Sequence, residues 1–500
     1  MKEYLIGFDL GSSAIKASLI DAATGSVVAS ASFPTTEMAI SSPLPDWAEQ
    51  DPEAWWQNTV AATHYIMSKS GVKPESVLAV GISYQMHGLV IVDKSQKVLR
   101  PSIIWCDSRA VEIGNRASAK LGDAYCLKHL LNSPGNFTAS KLKWVKDNEP
   151  RTFDKIHKAM LPGDFLAMRL TGEIATTVSG LSEGIFWDFE SGSISKELLE
   201  LYGISPELLA DRVPTFSVQG KLTEQAAAEL GLAKGTPVSY RAGDQPNNAF
   251  SLKALQPGEV AATAGTSGVI YSVVDKPVAD AHSRVNTFVH VNHDKDKSRY
   301  GVLLCVNGTG IMNSWLRRNL ALSGPLPEYA ELNRLASQVP IGADGLSVLP
   351  FGNGAERMLK NRNIGASLHG LKLNRHTQAH LSRAVQEGIV FALGYGFDVL
   401  NEIGIVSNVI RAGTANMFLS DVFCEAFTNM TGCSVSLYNT DGAQGAARGA
   451  GVGIGYYGSP EEAHRNLACI REFEPDKSLT TQYREAYANW KNLLNHQLTI

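Results

Sequence analysis

The chain has 500 residues, a formal net charge of -4, 44% hydrophobic and 19% charged residues. That composition fits a globular protein, and the length is too great for one ordinary core, so two or more domains are expected. The balance of charge carries no basic block and excludes a nucleic-acid partner. No apolar run reaches the length of a bilayer span, which excludes a membrane partner. No leader pattern opens the chain, so a cytoplasmic location is expected, with the six scattered cysteines as free thiols.

Tyr4 to Leu10 reads as a buried strand that ends in Asp9 and a turn of Gly11, Ser12 and Ser13. Strands are expected again over Ile15–Asp21 and Val27–Phe33. A turn of Gly and hydroxyl residues can wrap amides around a phosphate, and a carboxylate beside it can hold Mg²⁺. Taken alone, the same residues describe an ordinary hairpin turn. Asp51 followed by Pro52 predicts a helix start, with the helix running to about Ser70. Ser76 to Ser83 is a buried strand leading into Gln85-Met86-His87-Gly88, and the apolar stretch after it ends in Trp105-Cys106-Asp107-Ser108-Arg109. Polar residues at strand ends are where open α/β folds place ligands. Leu161-Pro162-Gly163-Asp164-Phe165 opens a helix ending near Gly172, and Thr176 to Asp188 reads as irregular.

Thr236 to Gly243 is a strand that ends in Asp244, where a helix begins. The opening pattern then returns: strand Val260–Ala264, turn Gly265-Thr266-Ser267-Gly268, strand Val269–Val274. The repetition predicts two lobes of similar architecture. A long helix is expected from His376 to about Ile403, a strand over Val406–Ile410, and a helix dense in Ala and Gly from Gly442 to Gly455.

Two Gly/hydroxyl turns, Asp9 for a metal and Asp244 for a base are the parts that phosphoryl transfer needs. The helix dipole at Asp244 is expected to favour its ionised form and make it a weak base. There is no GxxxxGK[ST] and no protein-kinase signature. Gly180-Leu181-Ser182-Glu183-Gly184 matches the serine-hydrolase elbow, but no good strand precedes it. His376 and His380 have zinc-helix spacing without the Glu of a metalloprotease, and Gly449 to Gly455 does not fit GxGxxG.

Asp9-Leu-Gly-Ser-Ser, Gly265-Thr-Ser-Gly, Ile410 to Asn416 and Gly442 to Gly451 resemble, in order, the phosphate, adenosine and connecting motifs of the actin–hexokinase–chaperone ATPase fold. Over its whole length the chain resembles the FGGY-type carbohydrate kinases. Trp47-Ala-Glu-Gln-Asp-Pro, Gln85-Met-His-Gly, Arg100 to Arg109 and Leu161-Pro-Gly-Asp-Phe place it nearest their xylulose kinase branch. The resemblance implies an α/β fold of two ribonuclease-H-like lobes with mixed sheets flanked by helices and a cleft between them. A sugar-binding lobe would span residues 1–255 and an ATP-binding lobe residues 256–500. It implies Asp244 as catalytic base and Met86, His87, Trp105, Asp107, Asp244 and Gln245 around the sugar. It implies Gly11, Ser12, Ser13, Lys16, Gly265, Thr266, Ser267, Gly310, Gly413 and Asn416 around ATP, and Asp9 with Asp244 at Mg²⁺. The implied partners are a ketose, D-xylulose first, and ATP, with a homodimer left open. Three departures leave L-xylulose, ribulose and glycerol as alternatives: Gln245 where Asn is typical, Ala412 before Gly413, and the loop Leu349 to Met358, with one residue inserted and the Pro that closes the family's motif gone. A non-catalytic ATP-binding regulator on the same fold is the reading from another class; it would need neither Asp244 nor the polar residues at 85 to 87.

Overall fold

A computed structural model describes residues 2–320 and 325–499. The first sheet contains β1 (Tyr4–Leu10), β2 (Ile15–Asp21), β3 (Val27–Phe33), β4 (Val77–Tyr84), β5 (Phe216–Lys221) and β6 (Pro237–Gly243), in the order β5-β6-β4-β1-β2-β3. β1, β2 and β3 form an antiparallel meander, while β4 runs parallel to both β1 and β6. The second sheet contains β7 (Glu259–Ala264), β8 (Gly268–Val274), β9 (Asn286–Val289), β10 (Tyr300–Val306), β11 (Val409–Gly413), β12 (Ser434–Tyr438) and β13 (Cys469–Phe473), in the order β9-β10-β8-β7-β11-β12-β13. Its centre repeats the first: β7, β8 and β10 form the meander, and β11 is parallel to β7 and β12. The expected duplication is present. The second sheet has one strand more, the four-residue β9 at its edge, too short for sequence periodicity to mark; β13 is antiparallel to β12 as β5 is to β6.

Helix α1 (Pro52–Ser70) starts as the sequence predicts, with the Asp51 carboxylate accepting from the Glu53 amide at 3.0 Å and Gly71 closing it in the left-handed region. Trp55 and Trp56 are both core residues of the first lobe. Next in the chain come α2 (Thr138–Asn148), α3 (Pro162–Thr171) and α4 (Val178–Glu183). α4 corrects the expected irregular segment: the Thr177 hydroxyl caps it, accepting from the Gly180 amide, and small residues let it bury from Ser179 to Glu183. Then follow α5 (Asp244–Ser251), α6 (Gly310–Leu320), α7 (Gln378–Glu402) and α8 (Gly442–Gly453). α7 is the central helix of the second lobe's core. Among the described residues no helix is long and apolar enough to cross a membrane.

The Ala/Gly composition of α8 has a packing cause. Although it follows the second sheet in the chain, α8 lies directly on β1 and β4 of the first. A Cβ at Gly7 would overlap the carbonyl oxygen of Ala443, and one at Gly81 the carbonyl oxygen of Ala446. Backbone rests on backbone here, a separation that only glycine opposite small residues permits. α5 and α8 pair between the sheets, and Asn247 Nδ2 donates to the Gly442 carbonyl at 2.8 Å. The two helices therefore bring the starts of Asp244 and Gly442 to the end of β1 that carries Asp9.

Candidate active site

Asp9 is held from both sides of its strand. It pairs with Ser83 across the parallel ladder and with Lys16 across the antiparallel one. The Ser83 hydroxyl donates to Asp9 Oδ1 at 2.7 Å. Burial raises the Asp9 carboxyl above its ordinary range, against the lowering effects of Lys16 and Ser83. Asp244, the first residue of α5, is raised to about 7, chiefly by burial and then by the charge of Asp9. The dipole expectation is thus overturned: desolvation outweighs the helix N-terminus, and Asp244 is a stronger base than its position in the sequence implies. Two carboxylates repelling one another fit a divalent cation, since Mg²⁺ takes one or two carboxylates and fills its remaining positions with phosphate oxygens and water.

The first turn commits part of its backbone to itself, with the Gly11 amide donating to the carbonyls of Asp9 and Ala14. The second is tied through its carbonyls. Gly265 accepts from the Gly310 amide at 2.8 Å, and Thr266 from Ile311 at 3.1 Å. The Thr309 hydroxyl meets both carbonyls. These bonds anchor the turn to the start of α6. Beside it lies a cavity of about 570 Å³ lined by Gly265, Thr266, Gly310, Asn313, Tyr329 and Asn416, among others. Asn416 sits there with φ +55°, and the Asn313 carboxamide oxygen is buried without a partner. Gly413 ends β11, and its α-carbon faces the Thr440 carbonyl.

At the end of β4, Gln85 and Met86 are buried. Gln85 Nε2 donates to Gln50 Oε1, and Gln50 Nε2 donates to the Ser12 carbonyl at 2.7 Å. This chain links the β4 end to the first turn. His87 has φ +62°, a conformation that costs a non-glycine residue about 1 kcal/mol or more. Two contacts hold it: the buried Lys141 ammonium of α2 donates to the His87 and Ile104 carbonyls at 2.9 Å each, and the ring Nδ1 meets the Glu183 carbonyl at 3.0 Å. Burial, reinforced by Lys141, lowers the His87 imidazole to about 3, so the ring is neutral. Its Nδ1–H then donates to Glu183, and Nε2 is left as an acceptor. Burial brings Lys141 down to about 7. Phe137 packs edge-on against His87 at 4.8 Å, and Phe288, from edge strand β9 of the other sheet, lies 5.4 Å away.

Trp105 is 52% exposed, with its indole N–H 3.4 Å from the Ser12 hydroxyl. Asp107 corrects the expectation of a sugar contact. It has no exposed surface; its carboxylate accepts from the Ala48 amide at 2.6 Å and takes the Arg109 guanidinium along its edge at 2.7–2.9 Å. That guanidinium also pairs with Glu49 at 2.7 Å and lies 3.7 Å over the Trp47 ring. Asp107 therefore builds the wall that presents Trp105. Gln50, Ser83, Lys141, Glu183 and Phe288 were missed as site residues. They act through main-chain contacts or from behind the first layer, which leaves no local motif. Gln50, Ser83 and Glu183 lie inside runs that the sequence singles out, Lys141 and Phe288 outside them.

The hydrolase elbow is excluded by its bonds: the Ser182 hydroxyl donates to the Ser179 carbonyl at 2.7 Å and accepts from the Val289 amide at 2.9 Å. His380 lies in the first turn of α7, where its Nδ1 accepts from the Thr377 amide and its Nε2 meets Asp344 Oδ2 at 3.2 Å, while His376 precedes the helix.

Residues 4–251 match the N-terminal domain and residues 260–453 the C-terminal domain of the FGGY family of carbohydrate kinases. The chain is 31% identical over 512 residues to the xylulose kinase of Bacillus subtilis (strain 168), covering 99% of this chain and 97% of that one. It is 28% identical over 512 residues to the L-xylulose/3-keto-L-gulonate kinase of Escherichia coli (strain K12), covering 99% and 97%. The crystal structure of xylulose kinase from Rhodospirillum rubrum superposes with a TM-score of 0.86 at 28% identity, covering 99% of each chain. Duplicated sheets, two neighbouring carboxyls at the strand ends and domain matches along most of the sequence agree: the chain belongs to the FGGY family of carbohydrate kinases.

Proposed function

We propose that this carbohydrate kinase transfers the γ-phosphoryl group of Mg-ATP to the terminal hydroxyl of D-xylulose, giving D-xylulose 5-phosphate and ADP. The observation that carries the reading is Asp244, a half-buried carboxyl raised to about 7 and set beside Asp9 at the start of α5. In its ionised form Asp244 accepts the hydroxyl proton as the oxygen bonds to phosphorus. The bond to the bridging oxygen breaks and ADP leaves. Asp9 and Asp244 would hold the Mg²⁺, which supplies charge neutralisation of the phosphates. The turns at Ser12–Ser13 and Thr266–Ser267 bind the phosphates, Lys16 adds positive charge from β2, and the cavity beside Gly310 and Asn416 takes the nucleoside. Met86, His87, Trp105 and Gln245 surround the sugar, with His87 Nε2 accepting from one of its hydroxyls.

Coupled ADP release with Mg-ATP against a panel of D-xylulose, L-xylulose, ribulose, 3-keto-L-gulonate and glycerol tests the reading. The expected result is the highest kcat/KM with D-xylulose. Sugar-independent ATP hydrolysis without a phosphorylated product would overturn the kinase function, and a preference for another acceptor would overturn the substrate.

A further inference from the structure

Glu183 is the last residue of α4 and comes from the run that imitates a hydrolase elbow. Only 2% of it is exposed, and among the described residues neither carboxyl oxygen makes a well-formed hydrogen bond, the Tyr84 hydroxyl being its polar neighbour. A helix C-terminus disfavours negative charge, so this placement has no stabilising purpose of its own. Its contacts are with the sugar side of the site. The main-chain oxygen accepts from His87 Nδ1 at 3.0 Å, and Oε2 stands 3.8 Å from the same nitrogen. Oε2 also lies against the α-carbon of Gly243, the residue before the base. A Cβ there would come 3.2 Å from Oε2 and 2.6 Å from Met86 Cγ. One side chain thus touches the approach to both His87 and Asp244.

We infer that Glu183 is a positioning residue for the sugar end of the kinase site: from behind the cleft, its carboxyl and main-chain oxygen fix the His87 ring and the turn leading into Asp244. Burial, with Asp244 and Asp164 nearby, pushes the Glu183 carboxyl well above its usual range, against the lowering effect of the Tyr84 hydroxyl. A carboxyl raised in this way favours the uncharged imidazole 3.8 Å away, where a carboxylate would favour imidazolium. The buried Tyr84 hydroxyl is the polar group that neighbours this carboxyl.

This inference rests on the kinase reading, and the two fail separately. The test is steady-state kinetics on wild type, Glu183→Ala, Glu183→Gln, His87→Ala and the His87→Ala/Glu183→Ala double variant. Glu183→Ala is expected to raise the acceptor KM about tenfold or more while the ATP KM stays within about twofold, because only the sugar side loses its support. Glu183→Gln, neutral and of the same shape, is expected to restore the acceptor KM to within about threefold of wild type. The double variant is expected to be no worse than His87→Ala, since coupled residues are not additive. If Glu183→Ala does not fold, Glu183→Asp, which withdraws the carboxyl by one methylene, reads the same KM split. An unchanged acceptor KM, equal changes in both KM values, no rescue by Gln, or additive losses would each overturn the inference. An inactive wild type would overturn the kinase reading instead.

Discussion

The Asp9 carboxylate rests against the α-carbon of Gly442: a Cβ built there would stand 2.6 Å from Oδ2 and 2.7 Å from Cγ. A residue from the start of the crossing helix thus limits where a carboxylate of the first sheet can lie. Gly442→Ala is expected to displace Asp9 while adding strain of about 1–3 kcal/mol. Measured as ADP release against free Mg²⁺, the variant should need about tenfold more Mg²⁺ for half-maximal rate, a shift of about 1.4 kcal/mol. An unchanged Mg²⁺ dependence would detach Asp9 from the metal.

Asp244→Asn removes the base and leaves a side chain of equal size. A general base contributes about 10²–10⁴-fold, so kcat should fall within that range while calorimetric ATP affinity changes little. The wild-type pH profile follows from the raised carboxyl. Asp244 works ionised, so kcat/KM should lose about tenfold per unit as pH drops below about 7 and level off above it. More free Mg²⁺ should move that limb to lower pH, because a cation favours both ionised carboxylates. A flat profile from pH 5 to 8 would remove Asp244 as the base.

Ser182→Ala separates packing from chemistry. The lost hydroxyl joins α4 to edge strand β9, and its removal strands the Val289 amide. The expected cost is about 1–3 kcal/mol of stability, read as a lower urea midpoint. At temperatures where the variant is folded, kcat should be within about threefold of wild type, since no reacting atom touches Ser182. Loss of kcat without loss of stability would reopen a chemical role.

Much of this organisation is legible in the sequence because it rests on local signals. β2 and β3 match their expected bounds to the residue, since apolar runs closed by Gly and hydroxyl turns are strong punctuation. The same signals place Asp9, Asp244 and both turns at strand ends. What the sequence withholds is whatever depends on a distant partner. Asp107 reads as a ligand residue at a strand end, yet Arg109, Glu49 and the Ala48 amide claim it. The ionisation of Asp244 follows from burial and Asp9, not from its helix. α4 is too short for a periodic pattern, and its Glu183 acquires meaning only beside His87 and Gly243.

His290 offers a test of burial alone, away from the proposed chemistry. Its Nε2 meets the Ala254 carbonyl and its Nδ1 the Tyr271 hydroxyl, at 3.1 Å each. The ring is 1% exposed, and burial lowers it from 6.5 to about 3. The folded protein therefore holds it neutral, while the unfolded chain binds a proton below about 6.5. Its stabilising contribution is complete above 6.5 and is lost as pH falls toward 3, by up to about 1.4 kcal/mol per unit. Other buried groups titrate in the same range, so the informative quantity is the difference between wild type and His290→Asn. Urea unfolding at pH 7.5, 6.5 and 5.5 should show the advantage of wild type shrinking with each step below 6.5. A difference that is constant with pH would mean that the ring titrates alike in both states, and that the packing of Tyr271 and Ala254 around it does not exclude the proton.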